Sequence, residues 1–138
     1  MSITIDAEPL PIWELLTDAD GYPRWNSTVT SISGSIALGQ KLRVSVPASK
    51  RAFSPTVTEF AAPRSMTWRD GNAVMFQGVR VFTLEPTGDG GTAFTMTETF
   101  SGAMMPLIGR SLPDFNPIFE QYATDLKREA ERNSKGTK

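Results

Sequence analysis

A change of hydrophobic period constrains this chain most. From Val29 to Phe100 apolar and polar residues alternate with a period of two, and beyond Asn116 the period becomes helical. Side chains alternate faces along a strand but return to one face every few residues along a helix, so the chain passes from sheet to helix near its C-terminus. Six segments of the alternating region read as strands: Val29 to Ile36, Lys41 to Val46, Thr56 to Phe60, Ser65 to Arg69, Val74 to Glu85 and Thr92 to Phe100. Gly34 with Gly39, Asp70-Gly71-Asn72 and Pro86 to Gly91 supply turns between them. Consecutive strands joined by short turns form an antiparallel meander.

Ahead of the meander, Ile3-Thr4-Ile5 reads as a short strand leading into a helix over Leu10 to Leu16, where Ile12, Trp13, Leu15 and Leu16 recur at helical spacing. Thr17-Asp18-Ala19-Asp20-Gly21 stops that helix, and Tyr22-Pro23-Arg24-Trp25 suits one more turn. After the meander, Met104 to Leu112 is loosely helical, and Pro113 separates it from a firmer helix running from Asn116 to about Asn133. Asn116 is placed to cap that helix, with Pro117 at its first position. Phe119, Tyr122, Ala123, Leu126 and Ala130 line one face, and Glu120, Asp125, Lys127, Arg128, Glu131 and Arg132 are assigned to the opposite, solvated one. The expectation is one α+β domain over residues 1–133 with a flexible tail at 134–138, and Met104 to Leu112 as a movable lid.

Composition narrows the chemistry. A chain of 138 residues suits one domain that buries roughly two-thirds of its unfolded surface. The net charge of −1 gives no electrostatic case for nucleic acid. With no cysteine there are no disulfides, thiolate nucleophiles or zinc clusters, and a reducing compartment is indicated. With no histidine, the commonest general base and the commonest transition-metal ligand are both missing. No stretch reaches the ~18 apolar residues of a membrane span, and Met1 to Asp6 lacks a signal-like pattern. A cytoplasmic monomer or homodimer with no metal and no cofactor is expected.

The order strand, two helices, six strands and helix carries particular residues at particular places. They are Ile12-Trp13-Glu14-Leu15-Leu16-Thr17-Asp18, Tyr22-Pro23-Arg24-Trp25-Asn26, Gly34 with Gly39, Pro63-Arg64 before Met66-Thr67-Trp68, the run Phe76 to Pro86, and Thr97-Glu98-Thr99-Phe100-Ser101-Gly102. In these the chain resembles the SRPBCC superfamily (START/Bet v 1-like, polyketide cyclase/dehydrase) from about Ile3 to Ala130. The resemblance implies a helix-grip fold: a curved seven-stranded antiparallel sheet around a long C-terminal helix, with two short helices between strands 1 and 2. It further implies a cavity for lipids, polyketides, sterols or other apolar molecules, without implying one reaction. Members of this kind often carry histidine where this chain has Arg80, so no histidine-dependent chemistry carries over.

Candidate site residues follow from the alternation. Phe76, Gly78, Arg80, Phe82 and Leu84 share one face of their strand, and Phe94, Met96, Glu98 and Phe100 share one face of the next. Their apolar company marks both faces as inward. The simplest register across the turn Pro86 to Gly91 sets Leu84 opposite Phe94, Phe82 opposite Met96 and Arg80 opposite Glu98. A charge on an inward face is tolerable when paired, so the pair either orients a polar ligand group or simply closes the sheet. The ligand-binding set expected is Trp68, Phe76, Arg80, Phe82, Phe94, Met96, Glu98, Phe119 and Tyr122, with Trp68 and Tyr122 each bringing a polar tip. No catalytic or metal-ligating residue is assigned.

Three functions fit these residues. One is a binding protein for a small hydrophobic or amphipathic molecule, lipid-like, polyketide-like or aromatic, in an internal cavity. Another is a cyclase or dehydratase in which Glu98 serves as acid or base and Arg80 stabilises negative charge. The third is a protein-interaction module with an open groove.

Overall fold

A computed structural model describes residues 1–47, 52–72, 76–103 and 116–136. The expected lid, Met104 to Leu112, lies outside these residues, as do Pro113 and the Val74 start of the fifth strand of the meander. Strand β1 (Ser2–Ile5) leads into helix α1 (Pro9–Thr17), a single 3-10 turn (Ala19–Gly21) and helix α2 (Tyr22–Trp25). Strands β2 (Ser31–Ser33), β3 (Arg43–Ser45), β4 (Thr56–Ala61), β5 (Ser65–Asn72), β6 (Phe76–Pro86) and β7 (Thr92–Ser101) follow, and helix α3 (Asn116–Gly136) closes the described chain. Together they make an α+β helix-grip fold.

All seven strands are antiparallel to their neighbours, in a five-stranded ladder of order β1-β7-β6-β5-β4 and a two-stranded ladder of β2 and β3. The bridges Lys41–Thr56 and Val44–Phe53 join the second ladder to the first. Hydrogen bonds from Gly39 N to Val57 O (2.8 Å) and from Leu42 N to Pro55 O (2.7 Å) continue that junction. β2 and β3 are shorter than their alternating stretches. Gly34 adopts a positive φ of 99° just after β2, a conformation open to glycine that ends the extended run.

The register of β6 on β7 is the one expected from alternation and the turn: Leu84 faces Phe94, Phe82 faces Met96 and Arg80 faces Glu98. β5 adds Met66 beside Phe82 and Trp68 beside Arg80. The concave face is thus built in rows across the strands, Met66–Phe82–Met96 in one and Trp68–Arg80–Glu98 in the next. Ile5, Ile12, Leu16, Val57, Met66, Phe82, Leu84, Phe94, Met96 and Leu126 are fully buried around the first of these rows. Each large apolar side chain so buried contributes roughly 1.5–3 kcal/mol before entropy is set against it.

Helix α3 runs past the expected Asn133 end to Gly136. Its C-terminal half is tied to β1, where Lys127 Nζ donates to Thr4 O at 3.1 Å, and the Asp6 backbone N–H donates to Glu131 Oε2 at 2.8 Å. One assignment from the sequence needs correction. Asp125 does not sit on a solvated face; it is 1% exposed, and Glu129 is buried beside it. Asp125 Oδ2 accepts from the Ser27 backbone N–H (2.8 Å) and hydroxyl (2.7 Å), while Oδ1 accepts from Gln121 (2.7 Å) and Arg128 (3.0 Å). Glu129 accepts from Arg24 (2.9 Å) and Arg132 (2.6 Å). Both carboxylates are buried because the segment around α2 brings donors to them, which clamps that segment onto α3.

Candidate ligand-binding site

The row Trp68–Arg80–Glu98 brings a pair of opposite charges onto the concave face. Arg80 Nε donates to Glu98 Oε2 at 2.7 Å, with the side chains 26% and 16% exposed. That exposure places the pair between a surface ion pair and a buried one, at the edge of the packed core. From α3, Phe119 lies against the guanidinium, whose central carbon is 5.1 Å from the ring centroid. This is a cation–π contact that fixes the planar group from a second side. Gly78 helps to make room for the pair. A Cβ there would come within 3.4 Å of both Glu98 Oε1 and Phe100 Cε1.

Next to this row stands a cluster of aromatic rings. Trp68 packs on Phe82 at 4.9 Å between centroids, Phe82 is 6.3 Å from Tyr122, and Tyr122 lies 6.1 Å from both Trp25 and Tyr22. The Tyr22 hydroxyl donates to Leu16 O at 2.7 Å, satisfying a carbonyl near the C-terminus of α1 that has no partner within the helix. A phenol carries one proton, so the 2.7 Å contact between the two hydroxyls is Tyr122 donating to Tyr22. Burial pushes both phenols above the usual tyrosine range, so both stay neutral donors and acceptors. Three buried polar groups in this region have no partner among the described residues: Trp68 Nε1, Trp25 Nε1 and Asn26 Nδ2.

The structure puts the nine expected site residues on two adjoining surfaces, one face of the sheet and the face of α3 laid over it, but not in equivalent settings. Phe82, Phe94 and Met96 are fully buried. Trp68, Phe119 and Tyr122 are buried with small exposure. Arg80, Glu98 and Phe76 are partly exposed, and Phe76 stacks on Phe100 at 5.7 Å and 12° at the far end of the strands. The sequence reading missed Tyr22 as a neighbour of the site. The signal was available in Tyr22-Pro23-Arg24-Trp25, where two aromatic rings flank a helix turn too short to bury them alone. Among the described residues no acidic group of three or more is arranged to hold a metal, and no helix is long and apolar enough to cross a membrane.

A family model described as polyketide cyclase / dehydrase and lipid transport matches residues 1–131. The chain belongs to this family. It is thereby a member of the SRPBCC superfamily whose residue pattern it carries, and a ligand-binding helix-grip fold. A START superfamily protein from Mycobacterium smegmatis superposes with a TM-score of 0.69 at 18% identity, over 96% of this chain and 95% of that one. Norcoclaurine synthase from Thalictrum flavum, as a point mutant holding a transition-state analogue, superposes at 0.73 and 11% identity over 97% and 93%. A hypothetical protein from Helicobacter pylori reaches 0.78 at 12% identity over 94% and 85%. These likenesses are of fold. A comparison with curated proteins finds no match.

Proposed function

We propose that this polyketide cyclase / dehydrase and lipid transport family member binds a small hydrophobic or amphipathic molecule between the sheet and the N-terminal half of α3, acting in the cytoplasm. The observation that carries this reading is the Trp68–Arg80–Glu98 row, a polar strip at the edge of an apolar face and under an aromatic side chain of the helix. Ligand sites of this kind combine apolar walls with a few placed polar groups. Phe82 and Met96 form the floor, Phe119 and Tyr122 the wall on the α3 side, and Arg80 with Glu98 the polar margin. A protein of similar fold, the Thalictrum flavum norcoclaurine synthase, has been captured with dopamine and hydroxybenzaldehyde, so small aryl guests are compatible with this architecture. Native mass spectrometry of protein purified from its own host tests the proposal. A copurified small molecule, displaced in the Arg80→Ala or Phe119→Ala protein, is the expected result. Protein that carries no added mass, and takes up none from a panel of alkyl and aryl compounds, would overturn it.

A further inference from the structure

We infer that the ligand presents an uncharged carbonyl oxygen to the Trp68 indole N–H beside the Arg80 guanidinium. This rests on the binding reading above and names the class of molecule. Trp68 is 4% exposed, and its Nε1 has no hydrogen-bond partner among the described residues. Buried polar groups are almost always paired, because an unmade bond forfeits the solvation lost on burial, so an orphan on a candidate binding face calls for a partner from outside the chain. An indole N–H only donates, which makes that partner an acceptor.

Neighbouring charge selects among acceptors. Trp68 and Arg80 are directly opposed across β5 and β6, which sets their Cβ atoms roughly 4.5–5.5 Å apart on one face. Arg80 engages Glu98 through Nε, and a guanidinium carries four further N–H donors on its two outer nitrogens. The charges of Arg80 and Glu98 cancel. A carboxylate ligand would therefore leave the strip with a net negative charge against Glu98 in a half-buried place, whereas a ketone, aldehyde or ester oxygen adds none. The ring of Trp68 rests on Phe82, so the apolar remainder of such a ligand has an aromatic ledge next to the donor. Trp25 Nε1 is also unpartnered among the described residues but lies in α2, packed on Tyr22 and Tyr122 and outside the strand row that holds Trp68 and Arg80, and serves as an internal control.

The experiment is titration of nitrogen-15-labelled protein with butylbenzene, butyrophenone and phenylbutyrate, following the three indole N–H resonances. The ketone is expected to bind about tenfold tighter than either of the others, the worth of one well-made hydrogen bond. It should move the Trp68 resonance downfield and leave those of Trp13 and Trp25 in place. Trp68→Phe, which keeps a ring on Phe82, should bring the ketone to the affinity of butylbenzene without changing butylbenzene itself. Glu98→Gln should turn the preference toward phenylbutyrate. Equal affinities for all three with an unmoved Trp68 resonance, or a Trp68 N–H held by an internal water that the ketone does not displace, would overturn the inference and leave the binding reading standing. No binding of any of the three would overturn both. Should Trp68→Phe fail to fold, the wild-type resonance and the Glu98→Gln preference decide.

Discussion

The two ends of the concave face are built from the same alternation yet do different things. Toward Leu84 and Phe94 the face is fully buried, and the C-terminal half of α3 is fastened over the adjoining β1 by Lys127 and Glu131. Toward Arg80 and Glu98 it is partly open, with Phe119 from the first turn of α3 against the guanidinium and the stacked Phe76 and Phe100 beyond. Stability is concentrated at one end and the proposed recognition at the other, and the boundary falls between the Phe82 row and the Arg80 row. Helix α3 is fastened to β1 by its C-terminal half and to the segment around α2 by Tyr122, Asp125 and Glu129, while Phe119 in its first turn borders the proposed site.

The largest expected effect lies at the closed end. Phe94→Ala removes a fully buried ring paired with Leu84 and should cost about 3–5 kcal/mol of unfolding free energy. Urea denaturation measures it. A cost below about 1 kcal/mol would mean that this end is no more tightly packed than the other, and the comparison would fail.

Asp125→Ala comes next, at about 2–4 kcal/mol, since it leaves the Ser27 donors unmatched and loosens the clamp between α3 and the segment after α2. Burial alone would push the Asp125 carboxyl up, but the hydrogen bonds from Ser27 and Gln121 and the Arg128 charge outweigh it and hold it below the usual carboxylate range. Glu129 is likewise held low against its burial by Arg132 and Arg24. Carboxyls depressed in the folded state stabilise above their unfolded values, near 3.9 for Asp and 4.3 for Glu, and that contribution is lost as pH falls through the folded values. Wild-type stability should therefore decline as pH drops below about 4, and the Asp125→Ala protein should decline less steeply there. Parallel pH profiles for the two proteins would show that the clamp does not depend on the carboxylate.

These two carboxylates also mark where the sequence stopped being legible. The register of β6 on β7, and with it the Arg80–Glu98 pair, could be read because one turn and strict alternation decide it locally. Helix α3 could be read from its periodicity. Yet Asp125 and Glu129 share a stripe with Tyr122 and Leu126, and charge alone argues that they face water. Their donors Ser27 and Arg24 come from the other end of the chain, so only the tertiary fold reveals that they are satisfied when buried. The Tyr22–Tyr122 contact is hidden for the same reason. An orphaned indole such as that of Trp68 is hidden more deeply, since nothing in a sequence distinguishes a tryptophan with a partner from one without.

A smaller effect is expected at the open end. Glu98→Ala should cost about 1–2 kcal/mol, above the value of a surface pair and below that of a buried one, because the two side chains keep part of their solvation. Thermal or urea unfolding measures it. A cost of about 3 kcal/mol or more would place the pair within the sealed core and move the boundary past it.

The smallest effect on stability should come from Gly78→Ala, which sharpens the comparison because stability and binding ought to part company. Gly78 lies in β6 between Phe76 and Arg80, beside Phe100 of β7, and its φ is not positive, so alanine can adopt the backbone without strain. The added methyl would sit 3.4 Å from Glu98 Oε1 and from Phe100 Cε1, a close contact that slight movement of the half-buried Phe100 ring relieves. Restricting the unfolded chain favours the variant by about 0.4–1 kcal/mol, so its melting temperature should hold or rise slightly. The same methyl occupies space beside Glu98 at the margin of the proposed site, so the affinity for butyrophenone should fall. At the closed end no substitution separates the two readouts in this way, since a change there that disturbs packing lowers stability first. If Gly78→Ala binds the ketone as well as wild type does, the guest does not reach the Glu98 side of the strip, and the site must be drawn around Trp68 and Tyr122 alone.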